Sequence, residues 1–286
     1  MKMMKRTILA ATASLLMLSA VHAAGTATKD NMIDKCELTG EKGSMKIDKP
    51  AQPGQLTVET SLPAPIWYNG DTPELVKDGM EYCMAAEIAW RAGFDKVKLV
   101  NVEWDALISG QTHDFDMAMA EISITDERKK VHDFSTAYFN SDIGVLTKAD
   151  APVDAATIKK ARIGVQQATT GATFVTDKLG VAAPQVYPDS SSLFAALGAG
   201  QIDVAMTDTS IVLAQEVQGG GKFKVVGQYK TGETYGAIYP KGNSNNATID
   251  KIIAAMVADG AMAKLSGKYL AAAWGKDPAT ITYFTP

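Results

Sequence analysis

The run Asp116-Met117-Ala118-Met119-Ala120-Glu121-Ile122-Ser123-Ile124-Thr125-Asp126-Glu127-Arg128 decides how the rest of the chain is read. Phe115 to Ala120 is a short apolar stretch, read as a buried strand. It turns polar at Glu121 and Ser123. Thr125 then offers an N-cap for a helix whose first turn carries Asp126 and Glu127, acids suited to the positive end of the helix dipole. Arg128 sits in that same turn. A buried strand that ends in free backbone N–H groups, a hydroxyl and a guanidinium fork is a receptor for a carboxylate. The same residues also fit a plain strand–loop–helix junction with a solvated charge run from Asp126 to Lys130.

Outward from this stretch the pattern is α/β. Leu56 to Thr60 and Val97 to Val102 read as strands, Tyr82 to Ala92 as a helix stopped by Gly93, and Ile143 to Thr147 as a further strand. Ala149 to Pro152 reads as a linker into a second series of strands and helices that runs to Gly227. The chain then returns through Thr234 to Tyr239 and finishes in helices at Ala247–Ala258 and Ala261–Tyr269. Two α/β units, one interrupting the other, imply mainly parallel sheets with ligand sites at the strands' carboxyl ends. The expected division is 55–148 plus 232–286 for the first lobe and 149–231 for the second. Crossovers near Thr147–Asp150 and Tyr229–Glu233 form the hinge.

Upstream, Lys2, Lys5 and Arg6 precede an apolar run from Ile8 to Ala20, and Val21-His22-Ala23 supplies small residues for cleavage. Residues 1–23 thus read as a cleaved secretory signal peptide, which implies export. Losing those three basic residues takes the formal charge from −4 to −7. An acidic chain without a basic stripe argues against nucleic acid as a partner. Residues 24–54 are polar and aperiodic, and read as an N-terminal extension, loose except where Cys36 holds it. Cys36 and Cys83 are the only cysteines, and in an oxidising compartment they are expected to form one disulfide. No His/Cys spacing suggests a metal, the methionines read as core filler, and Gly219-Gly220-Gly221 lacks the Lys-Ser/Thr of a phosphate loop. No cofactor is expected.

In order, the chain carries Val102-Glu103-Trp104-Asp105-Ala106-Leu107-Ile108, Ile122 through Lys130, Asp133-Phe134-Ser135, Ile163-Gly164-Val165-Gln166 with Thr169-Thr170-Gly171, and Gly200-Gln201-Ile202-Asp203 leading to Asp208. With the Tyr235-Gly236 strand and the Asp259-Gly260 helix break, this order resembles the polar-amino-acid solute-binding proteins of bacterial ABC importers, extracellular family 3. The resemblance runs from about Gln55 to Tyr269. It implies a two-lobed type II periplasmic-binding fold, with the ligand cleft between two α/β lobes joined by a two-strand hinge. It also implies an inner-membrane ABC permease as partner for a monomeric protein that catalyses nothing.

The resemblance assigns roles to particular residues. Arg128 clamps the ligand's α-carboxylate, with Thr169 and Thr170 adding donors from the other lobe. Asp208 receives the α-ammonium, Ser123 contacts the backbone groups of the amino acid, and Trp104 packs on its side chain. Read alone, Asp208 also fits a helix cap and Trp104 a core residue. Trp67 or Tyr68 supplies the aromatic of the first loop, or neither does. Glu121 departs from the small residue usual in this family. It pairs with Arg128, turns to solvent, stays protonated, or meets a cation on the ligand; the last makes the ligand a basic amino acid or guanidino compound. Two rival readings stand beside transport: a secreted cyclohexadienyl dehydratase-like enzyme with Glu121 as its acid, and a ligand-sensing subunit that docks on a receptor.

Overall fold

The computed structural model describes residues 31–286, so the expected signal peptide lies outside the described residues. A short antiparallel ribbon comes first, β1 (Met32–Ile33) against β2 (Cys36–Glu37). The chain continues through β3 (Leu56–Thr60), α1 (Met80–Arg91), β4 (Val97–Asn101), α2 (Trp104–Ile108), β5 (Met117–Ala118), α3 (Asp126–Lys129) and β6 (Asp133–Phe134). It crosses to a second sheet along β7 (Phe139–Lys148). There it builds β8 (Ile163–Gln166), α4 (Thr170–Asp177), β9 (Gln185–Tyr187), α5 (Ser190–Ala199), β10 (Val204–Asp208) and α6 (Thr209–Gln218). It returns on β11 (Phe223–Tyr235) to β12 (Ile238–Tyr239). Then α7 (Asn246–Ala258), α8 (Ala261–Ser266) and α9 (Ala272–Trp274) lead to β13 (Tyr283–Phe284).

The first sheet has the order β4-β3-β5-β12-β6 and the second β13-β11-β7-β10-β8-β9. β3 lies parallel to β4 and β5, and all of its residues are buried, as for a strand covered on both faces. α1 is buried on every side, with β3 and β4 on one side and α7 and α8 packed over it. Its start is crowded. Gly79 sits at φ 126°, and a Cβ there would lie 2.3 Å from the Trp67 carbonyl oxygen, so only glycine lets the loop before α1 lie across the helix and set Trp67 in place.

Three features differ from the sequence expectation. From residue 31 on, the N-terminal extension is held well beyond Cys36: Ile33, Leu38 and Ile47 are buried with it in the main core. The Cys36–Cys83 disulfide forms, with Cα atoms 5.2 Å apart, and the Thr39 and Gly40 amides donate to Glu87 at 2.9 and 2.7 Å. Such anchoring leaves no periodic trace in a sequence. Next, β7 belongs entirely to the second sheet, so the crossing lies near Phe139–Asp142 and not at 148/149. There it pairs with the end of β11, Phe139 opposite Tyr235 and Ser141 opposite Glu233. Lastly, residues 283–284, expected in the first lobe, add β13 to the second sheet beside β11. A third segment therefore joins the lobes besides the two strands.

Candidate ligand site

A cavity of about 630 Å³ opens between the carboxyl ends of the strands of both lobes. Trp67, Trp104, Glu121, Ser123 and Arg128 line it from the first lobe, and Thr169, Thr170 and Asp208 from the second. Tyr68 does not: it is buried and its hydroxyl donates to the Met119 carbonyl at 2.9 Å. The aromatic of the first loop is therefore Trp67, packed edge-on against Phe139 and Tyr235, with its indole N–H unpartnered.

Thr125 caps α3 as expected, its hydroxyl accepting the Arg128 amide at 3.2 Å. The cap turns the Arg128 side chain into the cleft. Its guanidinium donates to the Ser123 carbonyl at 2.8 Å and, across the cleft, to the Ala168 carbonyl at 3.0 Å. Two donors are spent this way; the planar fork carries five. The guanidinium carbon lies 5.3 Å from the centre of the Trp104 ring, and the Trp104 indole donates to the Gln167 carbonyl at 3.2 Å. Thr169 caps α4, accepting from Ala172, which leaves Thr170 at the helix start on the cavity wall.

Asp208 stands at the N-cap of α6 but makes no side-chain capping bond, so its carboxyl is left for other partners. It accepts from the Tyr235 hydroxyl at 2.7 Å. The Ser123 hydroxyl donates to Glu233 at 2.8 Å and lies 3.4 Å from Asp208. Burial first, then the charge of Glu233, pushes the Asp208 carboxyl up to about 7, with Tyr235 and Arg128 opposing.

Glu121 faces the cavity and is only 7% exposed. Of its four expected fates, turning to solvent and pairing with Arg128 are both absent: one carboxyl oxygen, Oε2, is buried without any partner. Its backbone adopts φ 55°, and in that twist its amide donates to Glu81 Oε1 at 3.0 Å. Burial, with Glu81 and then Asp208 adding like charge, raises the Glu121 carboxyl well above the usual carboxylate range.

Tyr235 was read only as part of a strand, without a role in the site, and Glu81 and Glu233 were not singled out in the sequence. Glu81 does carry a signal there. It is an acid in the run Met80-Glu81-Tyr82-Cys83-Met84-Ala85-Ala86, where apolar residues surround it on every helical face. An acid so placed is buried and needs a purpose.

Residues 56–272 match the family described as bacterial extracellular solute-binding proteins, family 3. The L-cystine-binding protein TcyJ of Escherichia coli K12 is 27% identical over 236 residues, 79% of this chain and 86% of that protein. The ABC transporter arginine-binding protein 1 of Escherichia coli K12 is 29% identical over 175 residues, 59% of this chain and 72% of that protein. Among solved structures, the arginine-, lysine-, histidine-binding protein ArtJ of Geobacillus stearothermophilus superposes with a TM-score of 0.67 at 28% identity, covering 78% of this chain and 96% of that one. With a match across most of its length, and with a cleft lined from both lobes, this chain belongs to the bacterial extracellular solute-binding proteins, family 3.

Proposed function

We propose that this protein captures, in the periplasm, an amino acid bearing a second cationic nitrogen, and delivers it as a monomer to an inner-membrane ABC permease. Arg128 clamps the α-carboxylate with Thr170, the Thr169 hydroxyl being engaged by the Gln166 carbonyl and the Ala172 amide, while Asp208 and Ser123 receive the α-ammonium. Glu121 meets the second positive group, flanked by Trp67 and Trp104. One observation carries this reading. The cavity wall sets a single guanidinium, Arg128, against two buried carboxyls, Asp208 and Glu121. A neutral zwitterion satisfies one of each sign and leaves a buried carboxyl unanswered, which is costly. An added cation answers it. Relatives that bind arginine, or arginine, lysine and histidine, support this class. The L-cystine-binding relative extends it, because cystine carries a second ammonium. Groups from both lobes on one ligand favour the closed state, which drives closure.

Calorimetry with L-arginine, L-lysine, L-cystine, L-glutamine and L-glutamate on wild type and Glu121→Gln tests the proposal. Wild type is expected to prefer the ligands with a second cationic nitrogen, and Glu121→Gln to lose that preference. Tightest binding of glutamine or glutamate, or an unchanged preference in the variant, sinks it. A buried carboxyl that holds its proton also suits an acid for water elimination, so turnover of prephenate by the same preparation checks the enzymatic reading.

A further inference from the structure

Glu81 lies outside the cavity wall, in the first turn of α1, directly behind Glu121. It is fully buried. Glu81 Oε1 accepts both the Glu121 amide, at 3.0 Å, and the Tyr138 hydroxyl. The first of these bonds exists only because Glu121 holds the left-handed backbone, a region that non-glycine residues seldom occupy. Each of the two carboxyls keeps one oxygen, Oε2, buried and without a partner. The strained turn thus holds two acids together in a dry place and leaves an acceptor on each unmet.

Among the described residues, no basic side chain neutralises this pair. Glu121 is faced by Glu81 from α1, Tyr68 from the first loop, Asp208 from β10 and Tyr235 from β11. Glu81 is faced by Tyr138 and Tyr68. Arg128 is turned to the Ser123 and Ala168 carbonyls, and the charges of Asp208 and Glu233 act on it. Two neighbouring carboxyls in such surroundings do not both ionise.

We propose that Glu81 and Glu121 form a proton-holding cation seat: empty, the pair keeps a proton, and the ligand's second cationic nitrogen expels it to water on entry. The inference rests on the cationic-ligand reading above. Its balance is simple: Glu121 gives one proton to solvent and the ligand's positive charge takes its place. No bond within the ligand changes. Burial pushes Glu81 up to about 7 and raises Glu121 well above the usual carboxylate range, which agrees with a proton held by the pair. Glu81 is then a positioning residue that fixes Glu121 through its amide and tunes the proton it holds.

L-Arginine is the probe. Titration calorimetry at pH 7 in phosphate and in Tris, buffers of unlike ionisation enthalpy, counts the protons released on binding. Close to one proton per bound arginine is expected, with affinity falling roughly tenfold for each unit that the pH drops below neutrality. Glu81→Gln keeps an acceptor for the Glu121 amide but removes the like charge. Its pH profile is expected to move to lower pH, with less than half a proton released at pH 7. Infrared spectra of the empty protein at pH 7 supply a readout that needs no ligand: a protonated-carboxyl band present in wild type and missing in Glu121→Gln. Tight arginine binding with no proton release, a profile unmoved by Glu81→Gln, or no such band in the empty wild type overturns the seat. Absence of arginine binding together with a normal carboxyl band overturns the ligand class instead, and with it the seat's role in binding.

Discussion

Arg128 and Asp208 reach the cavity from opposite lobes, so each can be tested without disturbing the other's support. Arg128→Ala is expected to weaken ligand binding by about 2–5 kcal/mol, as for truncation of one partner of a buried charge pair, with an unchanged circular dichroism spectrum. Arg128→Lys should recover only part of that loss, because an ammonium lacks the planar fork. Unchanged affinity in both would remove Arg128 from the clamp. The buried acids also shape stability. Glu81 and Asp208 have folded-state values raised to about 7, so the stability tied to their protonated forms is fully present below the unfolded carboxylate value of about 4. It is lost as pH rises through about 7. The melting temperature of the ligand-free protein should therefore fall from about pH 5 to pH 8, and fall less in Glu81→Gln; a flat profile in wild type contradicts this. At this scale Arg128, Ser123 and Asp208 were legible, since a guanidinium, a hydroxyl and an acid stood at strand ends and helix starts. Glu81 and Tyr235 were not. Their partners come from distant segments, and neither helical nor strand periodicity marks a residue that touches the site from behind.

α1 depends on what packs over it. Arg91 donates to Glu87 at 2.7 Å and to Asp259 at 2.7 Å, and Glu87 in turn accepts the Thr39 and Gly40 amides. This network and the disulfide fasten residues 36–40 to the helix. Cys36→Ala with Cys83→Ala opens a loop of 47 residues in sequence separation, so the chain-entropy argument gives a loss of about 4 kcal/mol. Denaturant unfolding of the double variant against wild type measures it; a midpoint shift near zero would show that the network alone suffices. Arg91→Ala strands the Glu87 carboxylate in a buried place, with an expected loss of about 3–5 kcal/mol by the same measurement. The helix itself was legible from its Ala, Ile and Trp spacing and from Gly93. The order of the segment before β3 was not, because a covalent bond and hydrogen bonds to one buried carboxylate hold it in place of an apolar face.

On the scale of the whole molecule, alternation of strands and helices made two α/β lobes legible, while the place of their join was not. β7 is long enough to carry both the crossing and an interior strand of the second sheet, and nothing in its composition marks where one ends. Small-angle scattering should show a smaller radius of gyration with saturating ligand than without; identical curves would contradict closure. The two-residue strand β13 is too short to read from sequence, yet it bears on how the lobes are free to move. Tyr283 donates to Asp142, whose carboxylate also holds the Thr231 and Gly232 amides of the crossing, and Gln228 donates to the Pro278 and Ile281 carbonyls. Two strands side by side make a strip that can both bend and wring. A third tether beside β11, on the side away from β7, is expected to resist wringing more than bending, as a stay does on a door. Removal of residues 277–286 is therefore expected to broaden the spread of distances between spin labels on the two lobes of the empty protein. A permease that reads both lobes at once would then meet a partner with its faces out of true, even though the pocket that holds the cargo is untouched.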